Sequence, residues 1–248
     1  MKTLDLESVK NFVNENIGNF HAARVGSLSK LKLDNLLKRK NPYLFKAKNI
    51  HTAAELVSGL LDAYLSSSEE KLFGDFLEDL AVFVSRQTVD GKKSSATGMD
   101  LEFDRDGVRY LVSIKSGPNW GNSSQYAALR KNFLTAKKVL LQSKQLGQIQ
   151  PVLGICYGKV KPVDNGEYLK LTGQSFWHFL SDDRELYTRI IEPIGYEAKK
   201  HNDTYEIEKS RVYNEFTGKF ITEFCHDGLI DWVKLVELNS SNLPEAEN

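Results

Sequence analysis

Two short segments carry groups that could act together, MDLEF (99–103) and VRYLVSIK (108–115). Asp100 and Glu102 lie two apart, as do Ser113 and Lys115, so on extended backbone each pair shares a face. Arg105-Asp106-Gly107 joins the segments, and Asp-Gly is a strong signal for a tight hairpin. Pairing the two strands would let two acids, a hydroxyl and an amine converge, groups that accept, donate or balance charge. TGM before the first strand and SGPNWG after the second open space at one end. Taken singly, a D-x-E or an S-x-K also describes an exposed strand edge with its charges turned outward.

The surroundings favour convergence. Val112 and Ile114 alternate with Ser113 and Lys115, so the opposite face of that strand is the buried one. The loop behind Lys115 holds Ser116, Asn119, Trp120, Asn122, Ser123, Ser124 and Gln125. A plain connector needs fewer donors and acceptors, and polar loops of this kind commonly bind. Trp120 reads as a packing anchor within it, and Gln125 as a helix-start residue or a contact to water or a ligand. Rival chemistries lack support. His21, His51, His178, His201 and His226 show no metal-ligand spacing, with His21 at most a phosphate contact. There is no GxxxxGK loop, no nucleotide-binding glycine pattern and no positional case for Ser-His-Asp catalysis.

The elements that would position these groups can be read from periodicity and caps. Leu4 to Ile17 and Leu28 to Lys40 read as amphipathic helices, the second ended by Asn41-Pro42. Thr52 caps a third, over about 53–66, and Ser67 or Ser68 a fourth, with Glu69 and Glu70 suiting its positive end. DGKKSSATG (90–98) is loop chemistry, and a long helix follows the GPNWGN loop. PVLGICYGK (151–159) is a third strand and EYLKLTG a fourth; the remainder to 238 is helical, with Ser175, Asp182 and Asp227 as starts. The fold class is α/β or α+β around one central sheet, with helical parts at 1–66 and 173–238 flanking a core at 67–172 and a frayed tail at 239–248.

The 248 residues make one large domain or one domain with a helical annex. No apolar run is long enough for a membrane helix, the first residues lack a signal-peptide pattern, and two cysteines, Cys156 and Cys225, make neither a disulfide framework nor a zinc site. A reducing cytoplasm is the natural setting. Net charge is zero, which argues against a general polyanion binder. The charge is uneven, however: Lys30, Lys32, Lys38, Arg39, Lys40, Lys46 and Lys48 face one acid, Asp34, within 30–49. A local patch of this kind is enough to hold phosphates, though a solvated helix face has the same composition.

The string TGMDLEF…YLVSIKSGPNWGNSSQ resembles the active-site region of type II restriction endonucleases of the PD-(D/E)XK superfamily. KRKNPYLFKAKNI, SSSEEKLFGDFLEDLA and PVLGICYGK extend the likeness, over about residues 10–160, to the PmeII-type group. The resemblance implies a nuclease core with a mixed sheet, Mg²⁺ as cofactor and double-stranded DNA as substrate. Met99-Asp100 stands where the family has Pro-Asp, so Asp100 would ligate metal. Ser113-Ile114-Lys115 stands at the (D/E)-x-K position, so Lys115 would orient or deprotonate water or stabilise charge, and the Ile114 carbonyl would be a further ligand. Ser113 departs from the pattern, because an acid is missing there, and a carboxylate is expected from elsewhere.

On the fourth helix Glu70, Gly74, Glu78, Ala81 and Ser85 form one face, and small Gly74 and Ala81 would let it approach the sheet. Glu78 is the first candidate, Glu70 the second and Glu102 the third, whose alternative is an ion pair with Lys92, Lys93 or Arg109. Asp75 and Asp79 read as solvent-facing. Lys38, Arg39, Lys40, Lys46, Lys48 and Arg130, with Lys131, Lys137 and Lys138, are candidate phosphate contacts, together with Ser116, Asn119, Trp120, Asn122, Ser123 and Ser124. A homodimer would match palindromic DNA, and a cognate methyltransferase would act on the same site without direct contact. Two further readings fit: an inactive nuclease fold that binds DNA, favoured by Ser113, and a structure-specific or repair nuclease.

Overall fold

The computed structural model describes residues 1–142, 148–195 and 198–242. The chain divides into two compact units, Met1–Gly18 with Phe73–Tyr196, and Asn19–Leu72 with Glu197–Asn248.

The first three helices are α1 (Leu6–Ser29), α2 (Leu33–Arg39) and α3 (Pro42–Ala47). Lys40 ends α2, and Asn41 opens α3, its side chain accepting a hydrogen bond from Leu44 N–H, with Pro42 at the first helical position, where no N–H is needed. α4 (Ala53–Val89) is a single helix of 37 residues where two had been expected. Thr52 does cap it: its Oγ1 accepts from Glu55 N–H and the Glu55 carboxylate accepts from Thr52 N–H, a capping box. Ser67 does not start a new helix. Its hydroxyl donates to the Ala63 carbonyl one turn back, so it is satisfied inside the helix.

The first unit is built on a mixed sheet of six strands in the order β1-β2-β3-β4-β6-β5. The strands are β1 (Lys92–Lys93), β2 (Leu101–Arg105), β3 (Val108–Lys115), β4 (Gln148–Ile155), β5 (Val163–Asp164) and β6 (Leu169–Thr172). β1, β2 and β3 pair antiparallel, whereas β3–β4 and β4–β6 pair parallel. The β2–β3 hairpin turns on Asp106 and Gly107, both at positive φ, as a two-residue turn of matching twist requires. β1 corrects the reading of 90–98 as loop throughout, and β4 begins and ends earlier than 151–159. A helix, α5 (Ser123–Gln142), connects the parallel pair β3 and β4. Leu129, Phe133 and Ala136 of α5 pack with Leu111, Leu153 and Ile155 of the sheet, so β3 is buried around residues 111–114.

α6 (Gln174–Ser181), α7 (Leu186–Arg189) and α8 (Ile191–Ile194) complete the first unit. Asp182 ends α6 in the left-handed region instead of starting a helix, and Ser175 lies one residue inside α6. In the second unit α9 (Ala198–Phe224) leads to a hairpin, β7 (Cys225–His226) and β8 (Leu229–Ile230), whose turn holds Asp227 at positive φ, and then to α10 (Trp232–Ser240). Asp231, not Asp227, caps that last helix, accepting from Lys234 N–H. Asn239 and Ser240, expected in the tail, end α10, and Asn239 donates to the Leu37 and Lys40 carbonyls. Residues 243–248 of the expected tail lie outside the described residues. A core of Leu36, Leu56, Leu60, Phe216 and Phe220 holds this unit.

Because the capping box satisfies two otherwise free backbone donors, Thr52→Ala should lower the unfolding free energy by about 1 kcal/mol. Chemical denaturation of the two proteins checks this, and an unchanged midpoint would show that the box contributes nothing.

Candidate active site

The site grows from the end of the β2–β3 hairpin. Asp100 extends the pairing one residue beyond β2, its N–H donating to the Val112 carbonyl. Its carboxylate Oδ2 accepts the Ile114 N–H at 2.6 Å and the Ser113 hydroxyl at 3.3 Å, and lies 3.9 Å from Lys115 Nζ. The side chain therefore occupies the place where another strand residue would pair. Ser113 is buried at 1 % exposure, and a donor there suits the neighbouring carboxylate better than a second negative charge would. Alternate peptide groups of a strand turn to opposite neighbours. The Ile114 carbonyl thus faces the Asp100 side, where Met99 N–H turns away to the Ala96 carbonyl.

Glu78 reaches this centre from α4. Burial raises its pKa first, the Asp100 charge raises it further, and Lys93 and Lys115 oppose them. Lys93 Nζ lies 3.9 Å from Glu78 and 3.1 Å from Asp79, which is exposed as expected. Gly74, one turn earlier, fits against Ser116: a Cβ there would sit 3.3 Å from the Ser116 Cβ. The small residue thus lets α4 come close to the end of β3, and Ala81 of the same helix is fully buried. Lys93 is the residue that sequence reasoning passed over as a member of this group. A strand of two lysines carries no periodicity by which to find it.

The other two candidate acids are held elsewhere. Glu102 is 8 % exposed, accepts from Ser94 Oγ, and pairs with Lys92 at 3.2 Å and Arg109 at 3.9 Å. Glu70 is exposed and belongs to the second unit. Gln125 closes a capping box with Asn122: its side-chain carbonyl accepts Asn122 N–H while its own N–H donates to Asn122 Oδ1. Asn119, Asn122, Ser123 and Ser124 are exposed, and Ser116 is half-buried. Trp120 is half-buried and packs on Tyr126, with ring centroids 4.6 Å apart. Arg130 makes a 3.7 Å pair with Glu167, and Lys131, Lys137 and Lys138 are exposed.

The basic segment lies in the second unit, where several of its lysines have local partners. Lys40 donates to the Ala63 carbonyl, Lys46 lies over the Trp232 ring and Lys48 over the Phe45 ring. Lys38 and Arg39 are exposed. His21 stacks on His201 and faces Arg24, and burial, then these two neighbours, lower its pKa.

Among the described residues no group of three His, Cys, Asp or Glu side chains is arranged to hold a metal ion. Two carboxylates and a strand-edge carbonyl are nevertheless a fitting donor set for a hard ion that keeps water and substrate oxygens as its other ligands. Asp100, Glu78 and the Ile114 carbonyl would make up such a set. Cys156, whose N–H donates to the Lys115 carbonyl, is no rival nucleophile: burial, with help from Glu78, pushes its thiol up to about 12.

The raised Glu78 pKa has a stability consequence. A group whose pKa is higher in the folded state favours folding while protonated, and that advantage is lost as pH rises through the folded value. Glu78→Gln should therefore change the melting temperature little below the ordinary glutamate pKa. Above the raised native value it should increase it, by on the order of 2 °C. Melting curves across pH check the sign, and a variant less stable than wild type at the alkaline end of the range would contradict it.

No curated protein matches the chain. The family model of the type II restriction endonuclease EcoO109I does match, over residues 7–202. That span contains Glu78, Asp100, Ser113 and Lys115 and covers well over half of the 248 residues. The chain belongs to the type II restriction endonuclease EcoO109I family.

Proposed function

We infer that this protein is a site-specific nuclease that hydrolyses phosphodiesters of double-stranded DNA with Mg²⁺, at a centre of PD-(D/E)XK type. Family membership supports DNA cleavage by a type II restriction endonuclease. The observation that carries the finer reading is Asp100 beside Lys115 at the end of one hairpin, with Glu78 of α4 near enough for the Asp100 charge to raise its pKa. The likeness to the PmeII-type group belongs with the same reading. So do a homodimer on palindromic DNA, a cytoplasmic setting, and a methyltransferase that acts on the same DNA site without touching this chain.

Asp100, Glu78 and the Ile114 carbonyl would hold the ion, which when bound supplies Lewis acidity toward the phosphate and a more acidic water. The chain's own groups do the rest. Ile114 N–H and the Ser113 hydroxyl fix one orientation of the Asp100 carboxylate. Lys115, beside Asp100, orients or deprotonates the attacking water or balances charge developing on the scissile phosphate. Glu78 takes the part of the acid that Ser113 lacks. The exposed Asn119, Asn122, Ser123 and Ser124, and the exposed cations Lys38, Arg39, Lys46, Lys48, Lys131, Lys137 and Lys138, are candidate DNA contacts.

Purified protein with unmethylated plasmid DNA and Mg²⁺ should give discrete fragments. Asp100→Ala, Lys115→Ala and Glu78→Ala should each slow cleavage by about 100-fold or more, while Glu70→Ala and Glu102→Ala keep most of it. Loss with Glu102→Ala or Glu70→Ala but not with Glu78→Ala would move the second acid. A wild-type protein that binds many DNA sequences and cuts none would favour the reading that Ser113 motivates, an inactive nuclease fold. Fragments without a fixed sequence would indicate a structure-specific nuclease.

A further inference from the structure

We propose that Trp120 is a positioning residue for Lys115, its indole face holding the ammonium beside Asp100. The inference rests on the nuclease reading above. Lys115 is a long, partly exposed side chain, and holding its amine in one place costs rotamer entropy. Its carboxylate anchor Asp100 stands 3.9 Å away, at the outer edge of an ion pair. With Ser113 where an acid would stand, no second carboxylate on β3 flanks it.

The Trp120 ring supplies another anchor. Lys115 Nζ lies 5.6 Å from the ring centroid, within the range of about 6 Å over which a cation is drawn to an aromatic face. The ring is itself fixed, packed on Tyr126 and against the cluster of Met99, Leu129 and Phe133. A second observation separates this role from packing. Among the described residues the buried indole N–H has no hydrogen-bond partner, and an unpaired buried donor is costly. Phenylalanine would pack there without that cost. Tryptophan has the strongest cation-binding face of the aromatic residues, which is the property the position uses.

The test is single-turnover cleavage at saturating DNA and Mg²⁺, with DNA affinity measured separately. Trp120→Phe should stay within about 3-fold of wild type and Trp120→Leu should fall by about 10-fold or more, both with unchanged DNA affinity. Trp120→Leu placed on Lys115→Ala should add no further loss. Should the leucine variant unfold, tryptophans carrying one, two or three fluorines, introduced at position 120 alone, keep the shape while weakening the ring's attraction for a cation. Cleavage should then fall with each fluorine. Equal rates for Phe and Leu variants, a flat fluorine series, or an effect confined to DNA affinity would overturn the role of Trp120. Wild-type protein that cuts no DNA would instead overturn the nuclease reading beneath it.

Discussion

The candidate centre hangs on one hydrogen bond, from the Ile114 N–H to the Asp100 carboxylate. A strand that ends inside a sheet leaves its neighbour with an unpaired peptide group, and burying one is costly. Asp100 fills that gap with its side chain, one residue before β2 begins. The carboxylate is thereby fixed in direction by the backbone of the strand that carries Lys115. The carbonyl of Ile114 is left beside it, and the two charged side chains meet without depending on a flexible loop. The sheet order explains why this is stable: β3 is paired along its whole length with β4 on its other edge, so its position does not depend on β2.

In the proposed reading, Ser113 and Glu78 are two sides of one substitution of place. A buried carboxylate at 113 would stand against Asp100 with nothing but like charge to meet. The hydroxyl donates instead, and negative charge comes from the helix, where Lys93 and Lys115 temper its repulsion from Asp100. Glu78 can do so because Gly74 lets α4 lie against Ser116. The identity of one small residue on a helix and the absence of one acid on a strand thus belong to the same arrangement. They lie on different elements, brought together only by folding.

Much of this was legible in the order of residues. Asp-Gly between two β-prone runs marks the hairpin, and the two-residue period assigns Asp100, Ser113 and Lys115 to their face. The run of Gly74, Glu78 and Ala81 singles out a helix face that is small and acidic at once. Thr52 reads as a cap because its chemistry is local. What could not be read depends on partners distant in the chain. Ser67 has the composition of a cap but bonds backward to Ala63, a choice that side-chain type leaves open. Asp182 and Asp227 have the composition of helix starts, yet both take left-handed turns, which aspartate also tolerates. Lys93 joins the site only because a two-residue strand pairs beside Asp100.

Cys156 adds a property of a different kind. Its thiol lies within electrostatic reach of Glu78 and Lys115 but is kept protonated by burial and by the nearby negative charge. Alkylating agents and peroxide attack thiolates, and they need access to them. A sulfur so placed is a poor target for either, so a cysteine can stand near the groups at the hairpin end without adding a reactive nucleophile to them.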